Sequence, residues 1–421
     1  MRVVVISHGH PQFTRGGGEV AAYNLFSGIN ATGKHRAWFI ARAPHALLHP
    51  GTGVAQHREN EYLIAGEAEV NGLLASVDLG PNGDFASLLK RIKPDVIHFH
   101  HYYKVGIELL RVARQACPNA RLVLTFHEYM AICTNHGTMV KADMQLCHRY
   151  DARECMHCFP DRDPGWFFLR ERYLKSFFAL VDLFISPSHF LAQRYIDWGL
   201  PAHKMHVIEN GITAGTRLPP RRIPANTPRT RFAFFGQAHP FKGLDLVLEA
   251  FGALPPKLKS TVALDIHAHG IDLLDDGPYK EKLKALLKQH RDFAHYHGAY
   301  EQRELPRLMA DTDWVLMGSV WWENSPLVIQ EAWKFGRPII CPELGGMAEK
   351  VEHGEGGLLY RARDAVALRE LVGQILAGAP PVAYESLIAS LPDYTAIETA
   401  TVAHLKAYKE MPVGFASTRV V

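Results

Sequence analysis

Short β-branched runs followed by amphipathic stretches recur along the whole chain, and they recur in two series separated by one proline- and arginine-rich break. The first run, residues 2–7, ends in the loop Gly16-Gly17-Gly18 and leads to a helical pattern over 19–30, the strand, glycine loop and helix that open a parallel α/β domain. Strand-like runs at 38–41, 96–99, 122–126, 183–186 and 204–208 and helical patterns at 85–93, 105–115 and 189–198 complete the first series. Residues 215–231 then hold four prolines and several arginines with little apolar patterning, which reads as a linker. A second series follows from 232–235 through 365–376. Two such series predict an α/β chain of two Rossmann-like, doubly wound domains facing each other across a cleft. The expected domains are 1–214 and 215–393, with a tail over 394–421 whose helix, from Tyr394 to Lys409, packs back on the first domain.

Length and composition agree with this division. A chain of 421 residues is too long for one ordinary core, and 47% hydrophobic with 21% charged residues is the balance of a globular protein. A net charge of +3 argues against a dedicated nucleic-acid binder, which usually shows a concentrated basic face, while local basic patches need no large net charge. Residues 177–185 are too short to span a bilayer and are interrupted by Asp182. The apolar run before His8 is shorter than a signal-peptide core. These features predict a cytoplasmic protein, with any membrane contact peripheral and at the inner face.

Three motifs bear chemistry. Adjacent glycines before a helix free backbone N–H groups to approach an anion, which the helix dipole also favours. In the segment from Phe234 to Gly243, a strand ends at Gly236 and Lys242-Gly243 immediately precedes a helix, where a lysine meets phosphate oxygens. The richest stretch is Glu323-Asn324-Ser325-Pro326-Leu327-Val328-Ile329-Gln330-Glu331. Asn324 and Ser325 are placed to cap the helix that follows, and Pro326 suits its first turn. Free N–H groups there suit sugar hydroxyls or a diphosphate, and Glu331 suits a ribose diol. Trp321, Trp322 and the turn Gly345-Gly346 join the same constellation.

In order along nearly the whole chain, GGGEV, DVIHFH, LTFHE, ISPSHFLAQRY with VIENGI, FFGQAHPFKGLDLVLEAF, WWENSPLVIQEA and PELGGMAEKVEHGEGGLLY resemble family 4 of the retaining glycosyltransferases, the glycosyl transferases group 1 of GT-B fold. The resemblance implies that Lys242 binds the donor diphosphate, Glu331 the ribose, and Glu323 with the backbone of Asn324, Ser325, Pro326 and Leu327 the transferred sugar. It implies that His127 faces the sugar near the reacting centre and that Gly17 and Gly18 line the gap between donor and acceptor. One position departs: Gln237, after Gly236, stands where the family usually has arginine, so another cation such as Arg303 has to serve the leaving diphosphate. The implied activity is hexosyl transfer from a nucleotide-sugar donor to a glycan or lipid-linked acceptor, as in polysaccharide biosynthesis. No second carboxylate is placed as a covalent nucleophile, which favours a metal-independent same-face displacement. A nucleotide-sugar epimerase or hydrolase of the same fold, and a non-catalytic sugar-nucleotide-binding protein, are the competing readings.

A cysteine-rich insert occupies about 130–160. Cys155-x-x-Cys158 has zinc-knuckle spacing, and Cys133 and Cys147 can complete four thiolates for a structural zinc with no catalytic part; reduced buried thiols fit the same spacing. After it, residues 166–175 mix aromatic and basic side chains at helical spacing, which suits packing over a sheet or contact with anionic lipid. His98, His100 and His101 end a strand, and alternation lets only one or two of them face the cleft.

Overall fold

A computed structural model describes residues 1–14, 16–43, 53–65, 80, 82–271, 274 and 277–410. The chain forms two compact units, one of residues 1–213 with 395–421 and the other of residues 214–394. The expected tail over 394–421 is described only as far as Glu410, where its helix Ile397–Glu410 ends.

In the first unit, β1 (Arg2–Ser7), β2 (Arg36–Ala43), β3 (Val54–Arg58), β4 (Glu61–Ala65), β5 (Val96–Phe99), β6 (Arg121–Thr125), β7 (Leu183–Ser186) and β8 (Met205–Val207) form one sheet. Their order is β3-β4-β2-β1-β5-β6-β7-β8, parallel except for the antiparallel pair β3 and β4. β1 is flanked by β2 on one side and β5 on the other, so the connections reverse direction there. A reversal of this kind opens a crevice beyond the carboxyl ends of the strands, where open α/β sheets bind ligands. The central strands are apolar on both faces because helices cover both; Val3, Val5, Phe39, Val123 and Ile185 lie in one buried cluster. The helix Ile397–Glu410 docks on the helix Gly17–Ala31, and a Cβ at Gly28 would lie 2.2 Å from Thr401 Oγ1, so glycine lets the two approach.

In the second unit, β9 (Arg231–Gln237), β10 (Ala263–His269), β11 (Ala294–Tyr296), β12 (Trp314–Leu316), β13 (Ile339–Pro342) and β14 (Gly357–Tyr360) form an all-parallel sheet, order β11-β10-β9-β12-β13-β14. The reversal falls between β9 and β12. Phe232, Phe234, Leu264, Ile266, Trp314 and Ile340 pack in one buried core with the covering helices.

Several elements differ from the sequence reading. The proline-rich linker is not a free tether but is tied into the second unit. Arg337, fully buried, donates to the carbonyls of Leu218 (3.2 Å) and Pro219 (2.9 Å), and buried Asp313 accepts from Arg221 (2.8 Å) and Arg229 (3.2 Å). β3 and β4 were not foreseen, since their residues alternate poorly. The first helix begins at Gly17 rather than Glu19, so the glycine loop is partly its first turn. β9 runs one residue past Gly236, placing Gln237 on the strand, in register with His269.

Candidate functional site

In the second unit, the carboxyl ends of β9 and β12 carry the predicted residues. β9 delivers Gln237, and a short 3-10 turn, Pro240–Lys242, presents Lys242 ahead of the helix Leu244–Gly252. Gly243 between them has φ of 63°, and a Cβ there would lie 2.0 Å from Gly318 O in the loop after β12. Glycine is therefore what allows the two loops to meet.

That meeting brings Lys242 Nζ to 2.6 Å from Glu323 Oε1. The same oxygen accepts from Ser319 Oγ at 2.8 Å and Trp321 Nε1 at 3.0 Å. Burial opposes the charge on Glu323, but the Lys242 ammonium and these donors hold its carboxyl below the usual range, so it is ionised at neutral pH. Lys242 also lies 5.6 Å from the centroid of the Trp321 ring, which itself stacks on Phe241. Ser319 and Trp321 are contributors that the sequence did not assign; the tryptophan pair beside Glu323 was the one visible signal.

The loop 323–326 is braced from behind. Gly346 N–H donates to Glu323 O at 2.7 Å, and a Cβ on Gly346 would lie 1.6 Å from Asn324 O. Lys350 Nζ donates to Ser325 Oγ at 2.9 Å, and burial pushes that lysine down to about 7. The expected capping is corrected here. The helix runs Leu327–Lys334 with Pro326 at its N-cap and no side-chain cap: Ser325 Oγ accepts from Lys350, and it is the backbone of Glu323, not the Asn324 side chain, that meets Gly346. Glu331 lies within that helix, and its Oε1 accepts from Gln302 Nε2 at 2.8 Å. Burial raises its pKa, against the pull of Gln302 and Lys334. Arg303, next to Gln302, is exposed, as is Gln237. A cavity of about 310 Å³ lined by Arg231, Asp265, His267, His297, Tyr300 and Arg307 lies elsewhere in this unit and includes none of Lys242, Glu323 and Glu331.

In the first unit, the carboxyl ends of β1, β5 and β6 gather histidines around the glycine loop. A Cβ at Gly18 would lie 3.4 Å from the His127 ring and 3.5 Å from His8 Cε1, whereas one at Gly17 would meet nothing within 4 Å. His8 Nε2 lies 3.0 Å from Glu19 Oε1. Burial opposes ionisation of Glu19, yet the hydrogen bond and charge of His8 keep its carboxyl below the usual range. Burial and neighbouring histidines push His127 down to about 3, so it is a neutral imidazole. His100 Nδ1 lies 3.1 Å from His127 Nε2, and His101 Nε2 lies 2.9 Å from Glu128 Oε1, a carboxyl that burial pushes up to about 8. All three histidines of the strand end are buried, and only His98 turns fully inward, to Tyr408 (2.7 Å) and Thr125 (2.6 Å).

The cysteine insert is built from a turn and a helix, Ala152–Cys158, capped by Asp151 and carrying Cys155 and Cys158 one turn apart. Burial raises Cys133 to about 12 and Cys155 to about 11, and each thiol also feels Cys147. Among the described residues, the one group of three ligand-type side chains whose atoms lie within 4.8 Å of one another is elsewhere: His10, His57 and Glu61. It closes as a hydrogen-bonded set, with Glu61 bound to His10 (2.9 Å) and Tyr23 (3.0 Å) and His57 to Gln12 (3.0 Å).

Comparison with known proteins places both units. Residues 15–215 match the family model described as Glycosyltransferase Family 4, and residues 229–378 match Glycosyl transferases group 1. WcaL of Escherichia coli (strain K12), named for an assigned role as a colanic acid biosynthesis glycosyltransferase, is 27% identical over 203 residues, 47% of this chain and 48% of that protein. The chain matches about half the length of the curated relatives. Among solved structures, Anabaena HepE in complex with UDP and glucose superposes with a TM-score of 0.65 at 16% identity, covering 98% of this chain and 100% of that one. Sucrose-phosphate synthase from Thermosynechococcus elongatus gives 0.65 at 16% identity, covering 97% and 98%. At such identities these likenesses establish the fold, which is GT-B.

Proposed function

Since the chain belongs to glycosyltransferase family 4, with the group 1 module in its second unit, we propose that it transfers a hexosyl group from a nucleotide-sugar donor to a glycan or lipid-linked acceptor. The observation that carries this reading is the Lys242–Glu323 pair, joined at 2.6 Å beside a helix start with Glu331 one turn further on. UDP is the first nucleotide to test, because HepE was solved with it.

Lys242, freed from Glu323 as the donor enters, meets the diphosphate, and Glu323 turns to the hydroxyls of the sugar. Glu331 exchanges Gln302 for the ribose diol. The loop 323–327 offers backbone N–H groups where negative charge develops, which is worth most in a site that excludes water. Because Gln237 carries no charge, Lys242 bears the leaving group with less help than an arginine would give. Lys350, behind the loop and not on Arg303's exposed turn, is the cation best placed to assist through Ser325. His127, being neutral, is suited to hydrogen-bonding a sugar hydroxyl rather than attracting charge. Configuration is retained by same-face displacement, the departing phosphate taking the proton of the acceptor hydroxyl. The exposed Phe168, Leu169 and Arg172 of the helix Pro164–Phe178 suit peripheral contact with a membrane that holds a lipid-linked acceptor.

The test is sugar transfer measured across a panel of nucleotide sugars and acceptors, with Lys242→Met and Glu331→Ala as controls. Both variants should fold and lose transfer. Full activity in both would sink the site assignment. The cysteine insert adds a separate proposal: Cys133, Cys147, Cys155 and Cys158 close around one structural zinc, with Cys133, Cys147 and Cys155 ionising against the burial that raises them. Metal analysis of the purified protein should find about one zinc per chain; a content near zero rejects it.

A further inference from the structure

His127 has a neighbour that the mechanism does not use. His100 Nδ1 lies 3.1 Å from His127 Nε2, and the two rings are stacked at 22° with centroids 5.3 Å apart. Two neutral imidazoles share such a bond only when one nitrogen carries the proton and the other offers its lone pair, so their tautomers are locked in complement. Both are neutral: burial and then the surrounding histidines push them well below the ordinary imidazole range.

On the far side of the ring, His100 Nε2 is buried without a hydrogen-bond partner among the described residues, and so is Thr401 Oγ1 of the helix Ile397–Glu410. Both residues line one small cavity of about 10 Å³, together with Asn24, Asn210, Gly211 and His404. That is about the least room that holds one water molecule, and the lining is polar, as a bound water requires. Two orphaned polar atoms on one water-sized cavity are rare in a folded chain, and a shared water removes both costs. By contrast, the His10, His57 and Glu61 group has its ligand-type atoms already satisfied by protein partners.

We propose that His100 is a positioning residue that sets the ring orientation and tautomer of His127, and that a single buried water joins His100 Nε2 to Thr401 Oγ1. His100 then has a defined partner at each nitrogen, and the helix that closes the chain's first unit is tied to the residue facing the sugar. The role of His127 in this proposal rests on the glycosyl-transfer reading above.

The test uses the full chain labelled with ¹⁵N-histidine. Ring nitrogen shifts and two-bond couplings report tautomers, and His127 is assigned by loss of its signal on substitution. Wild-type His127 should be a single neutral tautomer at pH 7. His100→Phe keeps a ring in the stack but no nitrogen, and should turn the His127 signal into a tautomer average. His100→Asn, whose amide falls near the place of Nδ1, should restore one tautomer. Thr401→Val, close in shape, should abolish the nuclear Overhauser contact between water and the His100 ring. In parallel, His100→Phe should lower kcat about 10- to 100-fold with donor KM unchanged, the scale expected for a misplaced group. An unmoved His127 tautomer in His100→Phe overturns the positioning role, and a water contact missing in the wild type overturns the water. An active enzyme with an unmoved tautomer rejects this inference alone. A chain without transfer activity rejects the glycosyl reading, while the spectra still decide the histidine pair. If His100→Phe does not fold, the Asn and Val variants carry the test.

Discussion

At the scale of single residues, the second unit's site is a set of buried charges held by very few partners. Glu323 is 6% exposed and depends on Lys242 for its only paired charge in the described contacts. Lys242→Met therefore should cost about 1–2 kcal/mol of stability, less than a fully buried pair because the lysine is partly exposed. Adding Glu323→Gln should recover most of that loss in denaturant unfolding without restoring transfer, since the diphosphate contact is still missing. Lys350 gives a pH prediction. Its folded-state pKa is lowered to about 7 from 10.5, so the folded protein binds fewer protons than the unfolded chain between those values. Stability from this residue is complete above the unfolded pKa and is lost as pH falls through about 7, with a slope of at most about 1.4 kcal/mol per pH unit. Lys350→Met should flatten the melting-temperature profile between pH 6 and 9 and raise it at pH 6. An unchanged profile would mean that the ammonium is solvated. Lys242, Glu323 and Glu331 were legible in the sequence because loop glycines and a proline bracket them. Lys350 was not, because a lysine near the end of a short amphipathic stretch looks like any solvated one until its burial is known.

At the scale of elements, glycines decide how closely loops and helices approach. Gly346→Ala is the sharpest case: the added methyl would fall 1.6 Å from Asn324 O, so the Glu323–Asn324 backbone has to move. Transfer should drop at least about 100-fold, as for a displaced reacting group, while far-ultraviolet circular dichroism stays that of the wild type. Unchanged activity would show that this loop is softer than its packing implies. The Gly345-Gly346 turn was noticed in the sequence, yet its purpose was not, since a close approach between loops is a tertiary fact. The helix caps failed for a related reason. Asn324 and Ser325 have the right chemistry for an N-cap, but Lys350 takes the Ser325 hydroxyl and Pro326 occupies the N-cap position. β3 and β4 were missed because β3, a partly exposed edge strand, is largely polar, and the short β4 opens on the buried charge of Glu61 and does not alternate.

At the scale of the whole molecule, the two βα series were the most legible feature, because a parallel sheet buried on both faces writes itself as repeated apolar runs. The order of strands was not written there; it placed the reversals at β1/β5 and β9/β12, and those reversals put the glycine loop beside His127 and Lys242 beside Glu323. In the proposed reading, the second unit holds a nucleoside diphosphate through Lys242 and Glu331. The most direct measurement is thermal unfolding with UDP, GDP, ADP and TDP in wild type, Lys242→Met and Glu331→Ala. Ligand at about 100 times its Kd stabilises the folded state by about 2.7 kcal/mol. One nucleotide should therefore raise the wild-type melting temperature by several degrees, and both variants should lose that rise. No shift with any nucleotide, or an equal shift in all three proteins, would rule out nucleotide binding through these two residues.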